Sequence, residues 1–153
     1  MKRDSRLSGV LHVLLHMAEF DGPVTSEALA KMMDTNPVVI RRVLAGLREH
    51  GYVRSDKGHG GGWSLACDLS TVTLLDIYTA LDSPSLFAMG NRSESTDCLV
   101  EEAVNTALNQ AFADAEKILL ARLGEVTLAM LSARFHQSMN ARGRRRGKGI
   151  DHV

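Results

Sequence analysis

The stretch that most limits what this chain can fold into runs from Thr25 to Gly62, TSEALAKMMDTNPVVIRRVLAGLREHGYVRSDKGHGGG. It reads as two short helices joined by a tight turn, then a strand, a glycine-rich tip and a returning strand. Asn36 is a good N-cap, since its side-chain oxygen can accept from an unpaired first-turn N–H. Pro37 sits at the first helical position, where a missing N–H costs nothing. Ile40, Val43, Leu44 and Leu47 then recur on one helical face, and Gly51 stops the helix. The opposite face carries Val38, Arg41, Arg42, Ala45 and Arg48. The preceding helix starts at Thr25, with Glu27 near the positive end of its dipole. Leu29, Met32 and Met33 are its expected buried side, and Asp34 and Thr35 make the turn between the helices. The strands are 52–55 and 63–66, with Lys57 and His59 at a tip where four of the five residues 58–62 are glycine.

This order of elements is that of a winged helix-turn-helix. Such a unit presents the N-terminal residues of its second helix to the DNA major groove. The expected DNA-facing residues are therefore Thr25, Asn36, Pro37, Val38, Arg41 and Arg42, with Lys57, His59 and Gly60 placing the wing on the backbone or in the minor groove. Arg41 and Arg42 have the donors to read guanine edges or to hold phosphates. The bland alternatives are a solvated helix face and an idle hairpin tip. A nucleotide-binding loop is the weaker reading, because no Gly-Lys-Ser/Thr follows the glycines and no βαβ unit surrounds them.

A net charge of zero argues at first against DNA, but its distribution does not. Residues 1–60 hold nine Lys/Arg against seven Asp/Glu, an excess of +2. Residues 61–137 hold four against ten, or −6, and residues 138–153 hold five against one, or +4. The basic excess thus falls on the proposed DNA module and the tail. No apolar run could span a membrane, no signal peptide is visible, and two distant cysteines form neither a disulfide framework nor a zinc site. The expected compartment is the cytoplasm. No nucleophile–base pairing or cofactor fingerprint suggests an enzyme.

Residues 5–19 predict an amphipathic helix with Leu7, Val10, Leu11, Leu14, Leu15 and Ala18 inside. Its His12 and His16 stand four apart, but two imidazoles alone are an incomplete metal site. Thr73 caps a further helix with Leu74, Leu75, Ile77, Tyr78 and Leu81 largely buried. Residues 83–97 form a long polar loop, read either as disordered or as a sensor. The longest helix is expected from Asp97 to Leu123, broken by Gly124. Its stripe of Val100, Val104, Leu108, Ala111, Ala115, Ile118 and Leu119 exceeds what a small domain needs and should meet a second copy. A short closing helix is expected over Leu128–Phe135, then a basic, disordered tail. The domain division is thus a DNA-binding module over 1–82, the loop 83–97, dimerisation and closing helices over 98–137, and the tail 138–153. The fold class is mainly α with a small hairpin wing.

The N-terminal MKRDSRLSGVLHVLLHMA, the helix pair ending in LREHGYV, the wing GHGGGWSLA and the following VTLLDIYTALD resemble, in this order, the IscR/NsrR-like winged-helix regulators, the Rrf-two family. The likeness extends from Met1 to about Leu131; Trp63 stands where a tyrosine is commoner. It implies a homodimeric transcriptional regulator, a repressor, on an inverted-repeat operator. Many of the proteins resembled hold an iron–sulfur cluster on three closely spaced cysteines before the long helix. Only Cys98 matches, the other places falling near Leu86 and Arg92, with Glu101 where a further ligand might stand. A cluster needs a nearly full set of thiolates, so no cofactor is expected. Cys98 is left as a candidate thiol sensor at a helix N-terminus, opposed by Asp97, or as an inherited small side chain. The loop 83–97 is the other place for a small-molecule or oxidant signal. Cys67 is read as packing. The competing functional reading is a winged-helix protein-interaction module that does not bind DNA.

Overall fold

The computed structural model describes residues 4–95 and 97–147, without the side chains of 145–147. Helix α1 spans Arg6–Ala18, α2 Ser26–Met32 and α3 Pro37–Glu49. Strands β1 (Val53–Asp56) and β2 (Gly62–Leu65) form the wing, followed by α4 (Leu74–Ala80), α5 (Leu99–Glu125) and α6 (Leu128–Gly147). The core lies where α1, α2, α3 and α4 converge, with Leu14, Leu29, Leu44, Leu47, Ile77 and Leu128 almost wholly buried. Leu128 belongs to α6, so the C-terminal helix closes the DNA-binding module's own core.

The local signals read from the sequence produce these elements. Thr25 Oγ1 accepts from Ala28 N at 3.1 Å and Asn36 Oδ1 accepts from Val38 N at 2.8 Å, capping α2 and α3. Thr73 and Asp76 form a reciprocal capping box at the start of α4. Gly51 ends α3 with φ +78°, in the left-handed region. In α2 the inner side is Leu29 and Ala30, with Met33 half-buried; Met32, expected inside, is 39 % exposed. Helix α2 has only seven residues, too few turns to bury both methionines.

The wing is an antiparallel pair with Val53 opposite Leu65 and Asp56 opposite Gly62. Val24 adds a third, single-residue rung: Val24 N donates to Trp63 O at 2.9 Å and Trp63 N to Val24 O at 2.8 Å. The wing is therefore fastened to the residues that lead into α2.

Two expectations at the C-terminal end are overturned. Gly124 does not break the long helix, which continues to Glu125. A single glycine costs about 1 kcal/mol in a helix, too little to end a 27-residue helix that rests part of its length on α4. A Cβ at Gly124 would lie 3.5 Å from Leu75 Cδ2, ordinary contact distance. The helix stops where Val126 turns extended and its carbonyl accepts from Leu74 N. Thr127 Oγ1 then accepts from Met130 N at 3.2 Å and starts α6. The expected disordered tail is helical as far as Gly147. Met139, Ala141 and the arginines are good helix formers, no proline interrupts them, and one internal glycine, Gly143, is tolerated. Residues 148–153 lie outside the described residues.

Candidate nucleic-acid interface

Helix α3 buries Ile40, Leu44 and Leu47 and turns Val38, Val39, Arg41, Arg42 and Arg48 outward. Val38 is 52 % exposed and its neighbour Val39 47 %. Thr25 and Asn36 are exposed at the helix starts, and Pro37 is half-buried at the first position of α3. Arg41 does not project freely: its Nη1 donates to Glu27 Oε1 at 3.1 Å, tying α3 to α2. Sequence spacing does not reveal that contact, since the two residues are 14 apart. Val39 escaped the sequence reading as well; it lines an apolar cleft of about 420 Å³ with Val10, Val13, Ile40, Val43 and Leu81.

The wing is held to the helix pair by two further side chains. Arg48 Nη1 donates to Ser55 Oγ at 3.0 Å, and its guanidinium lies 5.6 Å from the centre of the Trp63 ring. The buried indole Nε1 of Trp63 donates to Ser26 Oγ at 2.9 Å. Ser26 is itself buried, so this bond satisfies both groups away from water. Lys57, His59 and Gly60 are exposed at the tip, with Gly58 and Gly60 at positive φ. Gly62 permits the rung to Val24: a Cβ there would sit 2.6 Å from Val24 O.

The sequence and the fold are matched by known proteins. The sequence profile of Rrf2, described as "Iron-dependent Transcriptional regulator", matches residues 3–134. The chain belongs to the Rrf2 family. It is 29 % identical over 126 residues to YwnA of Bacillus subtilis (strain 168), a candidate HTH-type transcriptional regulator, covering 82 % of this chain and 92 % of that protein. A crystal structure of a candidate transcriptional regulator from Lactobacillus plantarum superposes with a TM-score of 0.73 at 26 % identity, covering 94 % of this chain and 98 % of that one. T. potens IscR, 21 % identical with a TM-score of 0.61 over 90 % of each chain, shares the fold. This Rrf2 chain is a DNA-binding transcriptional regulator with a winged-helix fold.

The iron in the family's description makes the donors around Cys98 important. Cys98 is exposed at the N-cap of α5. The places that resemble the other cluster positions hold Leu86, a half-buried aliphatic chain, and Arg92, an exposed guanidinium. Arg92 Nε lies 3.5 Å from Glu101 Oε1, so that carboxylate faces a cation supplied by the chain itself. His12 and His16 approach to 3.0 Å through their Nε2 atoms. Among the described residues, no group of three or more His, Cys, Asp or Glu is arranged to hold a metal. These residues do not fit an iron–sulfur cluster. Cys67 is half-buried against the core, and burial pushes its thiol up, with Asp68 adding to the effect.

All seven residues of the expected α5 stripe are exposed, Val100 by 73 % and Ile118 by 72 %. The other side of α5 is covered by α4 and the loop after it. Phe87 stacks on Phe112 at 5.7 Å, and Asn105 Nδ2 donates to Ser93 O at 2.7 Å. Among the described residues, no helix is long and apolar enough to cross a membrane.

Proposed function

We propose that the protein is a homodimeric repressor that binds an inverted-repeat operator, with Val38, Arg41 and Arg42 reading bases and Lys57, His59 and Gly60 positioning the wing. Thr25, Asn36 and Pro37 hold the helix starts against the backbone. The observation that carries this reading is the outward face of α3, where an exposed valine and two arginines stand beside a wing fastened to the same helix pair. Valine can meet a thymine methyl, and arginine the O6 and N7 edge of guanine. The unpartnered stripe on α5 supports the dimer. A two-fold protein requires a pseudo-palindromic site with half-sites about one helical turn, or a multiple, apart. Repression needs no surface beyond DNA occupancy, which excludes other proteins from the same site.

Selection of bound fragments from a random duplex library by the purified protein tests this. The expected product is an inverted repeat whose binding weakens steeply with salt. Arg41→Ala or Arg42→Ala should each weaken binding by about 1–3 kcal/mol if the lost contact is bidentate to a base. Enrichment of no sequence, or full retention of affinity and preference by both variants, would remove α3 from the mechanism.

A further inference from the structure

The contact that most calls for explanation is Glu27 on Arg41. A carboxylate 68 % exposed on α2, beside the face proposed to meet a polyanion, repels phosphate. As a stabilising device it is weak, since exposed ion pairs contribute little to folding. Its geometric effect is larger. Arg41 is 50 % exposed and bears five N–H donors in a planar fork, of which the Nη1 side is engaged with Glu27 Oε1 at 3.1 Å. Glu27 is the second residue of α2, whose start is capped by Thr25 and whose Ser26 is bonded to Trp63. The carboxylate is thus carried on a fixed segment and gives a long, flexible side chain one anchored end.

We propose that Glu27 is a specificity-determining positioning residue: it fixes the Arg41 guanidinium for base reading and keeps it off the phosphates. This rests on the reading of Arg41 as a base contact. An unconstrained arginine on a DNA-facing helix has phosphates on both sides as competing partners, and phosphate contacts carry no sequence information. A guanidinium anchored at one end retains N–H groups for a base edge and surrenders that freedom. The negative charge lowers affinity for every duplex alike, whereas the orientation acts on the preferred sequence alone. The two effects therefore separate in the ratio of specific to non-specific binding.

The experiment compares wild type, Glu27→Ala, Arg41→Ala and the double variant. Each is titrated onto the duplex selected by wild type and onto a scrambled duplex of equal length, at several salt concentrations. For Glu27→Ala the expected result is equal or tighter binding to scrambled duplex, and a specificity ratio reduced about threefold, the scale that an exposed ion pair can impose. The salt dependence should steepen by about one phosphate contact as Arg41 relaxes onto the backbone. Arg41→Ala should lose the same preference, and the double variant should lose nothing further. A Glu27→Ala protein with the wild-type ratio overturns the proposal, as does one that gains affinity equally on both duplexes. If Arg41→Ala keeps the wild-type preference, the assignment of Arg41 itself has failed, and Glu27 with it. Unchanged thermal unfolding in all four proteins separates the effect from a folding defect.

Discussion

Replacing Ile118 by glutamate tests the assembly more sharply than any other single change. Ile118 sits in the exposed stripe of α5 and is 72 % exposed in the protomer. In a lone chain the glutamate would remain in water, so folding stability should change by no more than about 0.5 kcal/mol. In a symmetric dimer the same side chain is buried twice. Burying a full isoleucine is worth about 1.5–3 kcal/mol, so the exposed portion is worth about 1–2 kcal/mol per copy. Two-fold symmetry doubles that loss, and each copy also buries a carboxylate with no assigned partner, at a further cost of a few kcal/mol. The sum is about 5 kcal/mol or more per dimer, which raises the dissociation constant by over three orders of magnitude. Sedimentation equilibrium at micromolar concentration should show wild-type dimers and Ile118→Glu monomers, with matching unfolding of the α1–α4 core. An Ile118→Glu protein that dimerises as tightly as wild type would refute the placement of the interface. A monomeric wild type would refute the dimer, and with it the need for a palindrome.

Three other outcomes are expected. Trp63→Phe leaves Ser26 Oγ buried without the indole donor. It should destabilise the domain by about 1–3 kcal/mol in urea unfolding, and the added effect of Ser26→Ala on that background should be small. His16 is held below its ordinary value of 6.5, first by burial and then by the charge of His12, with Glu19 opposing. The unfolded chain therefore binds the proton more readily, and stability falls as pH drops below about 6.5, levelling once the folded His16 is protonated. Thermal melts between pH 5 and 7.5 should show that slope in wild type and a shallower one in His16→Gln. Cys98 is exposed at the start of α5. If it is the sensor, mild peroxide should release wild-type protein from its operator and leave Cys98→Ser bound; release of both, or of neither, would end that role and turn the search to residues 83–97.

Much of the fold was legible because short polar signals mark its joints. Asn36-Pro37, Gly51 and Thr73 each cap or stop a helix through groups within a few residues, so their chemistry survives in linear order. The C-terminal end was less legible for the opposite reason. Gly124 looks like a stop, yet a glycine ends a helix only where the backbone turns aside, and nothing local says that this happens at Val126 instead. Within the site, the outward direction of Val38, Arg41 and Arg42 followed from periodicity alone. The attachment of Arg41 to Glu27 and of Trp63 to Ser26 did not, because both join residues brought near only by packing. Met32 failed for want of length: a seven-residue helix has too little perimeter for a reliable inner side.

The rung between Val24 and Trp63, with the bonds from Trp63 to Ser26 and Arg48 to Ser55, makes wing and helix pair a single solid piece. The link between α5 and α6 is pinned to the segment just beyond the wing, through Leu74 N to Val126 O and Leu128 N to Val72 O. A signal received at α5 would thus have little freedom to reshape one reading head. In the proposed dimer the remaining variable would be the span between heads, set by how two α5 helices cross. Sliding or rotating that crossing by a fraction of a turn would put one head out of phase with the DNA helix while leaving each head intact. Control would then work like the setting of a caliper, and operators with altered spacing, not altered half-sites, would respond differently to the signal.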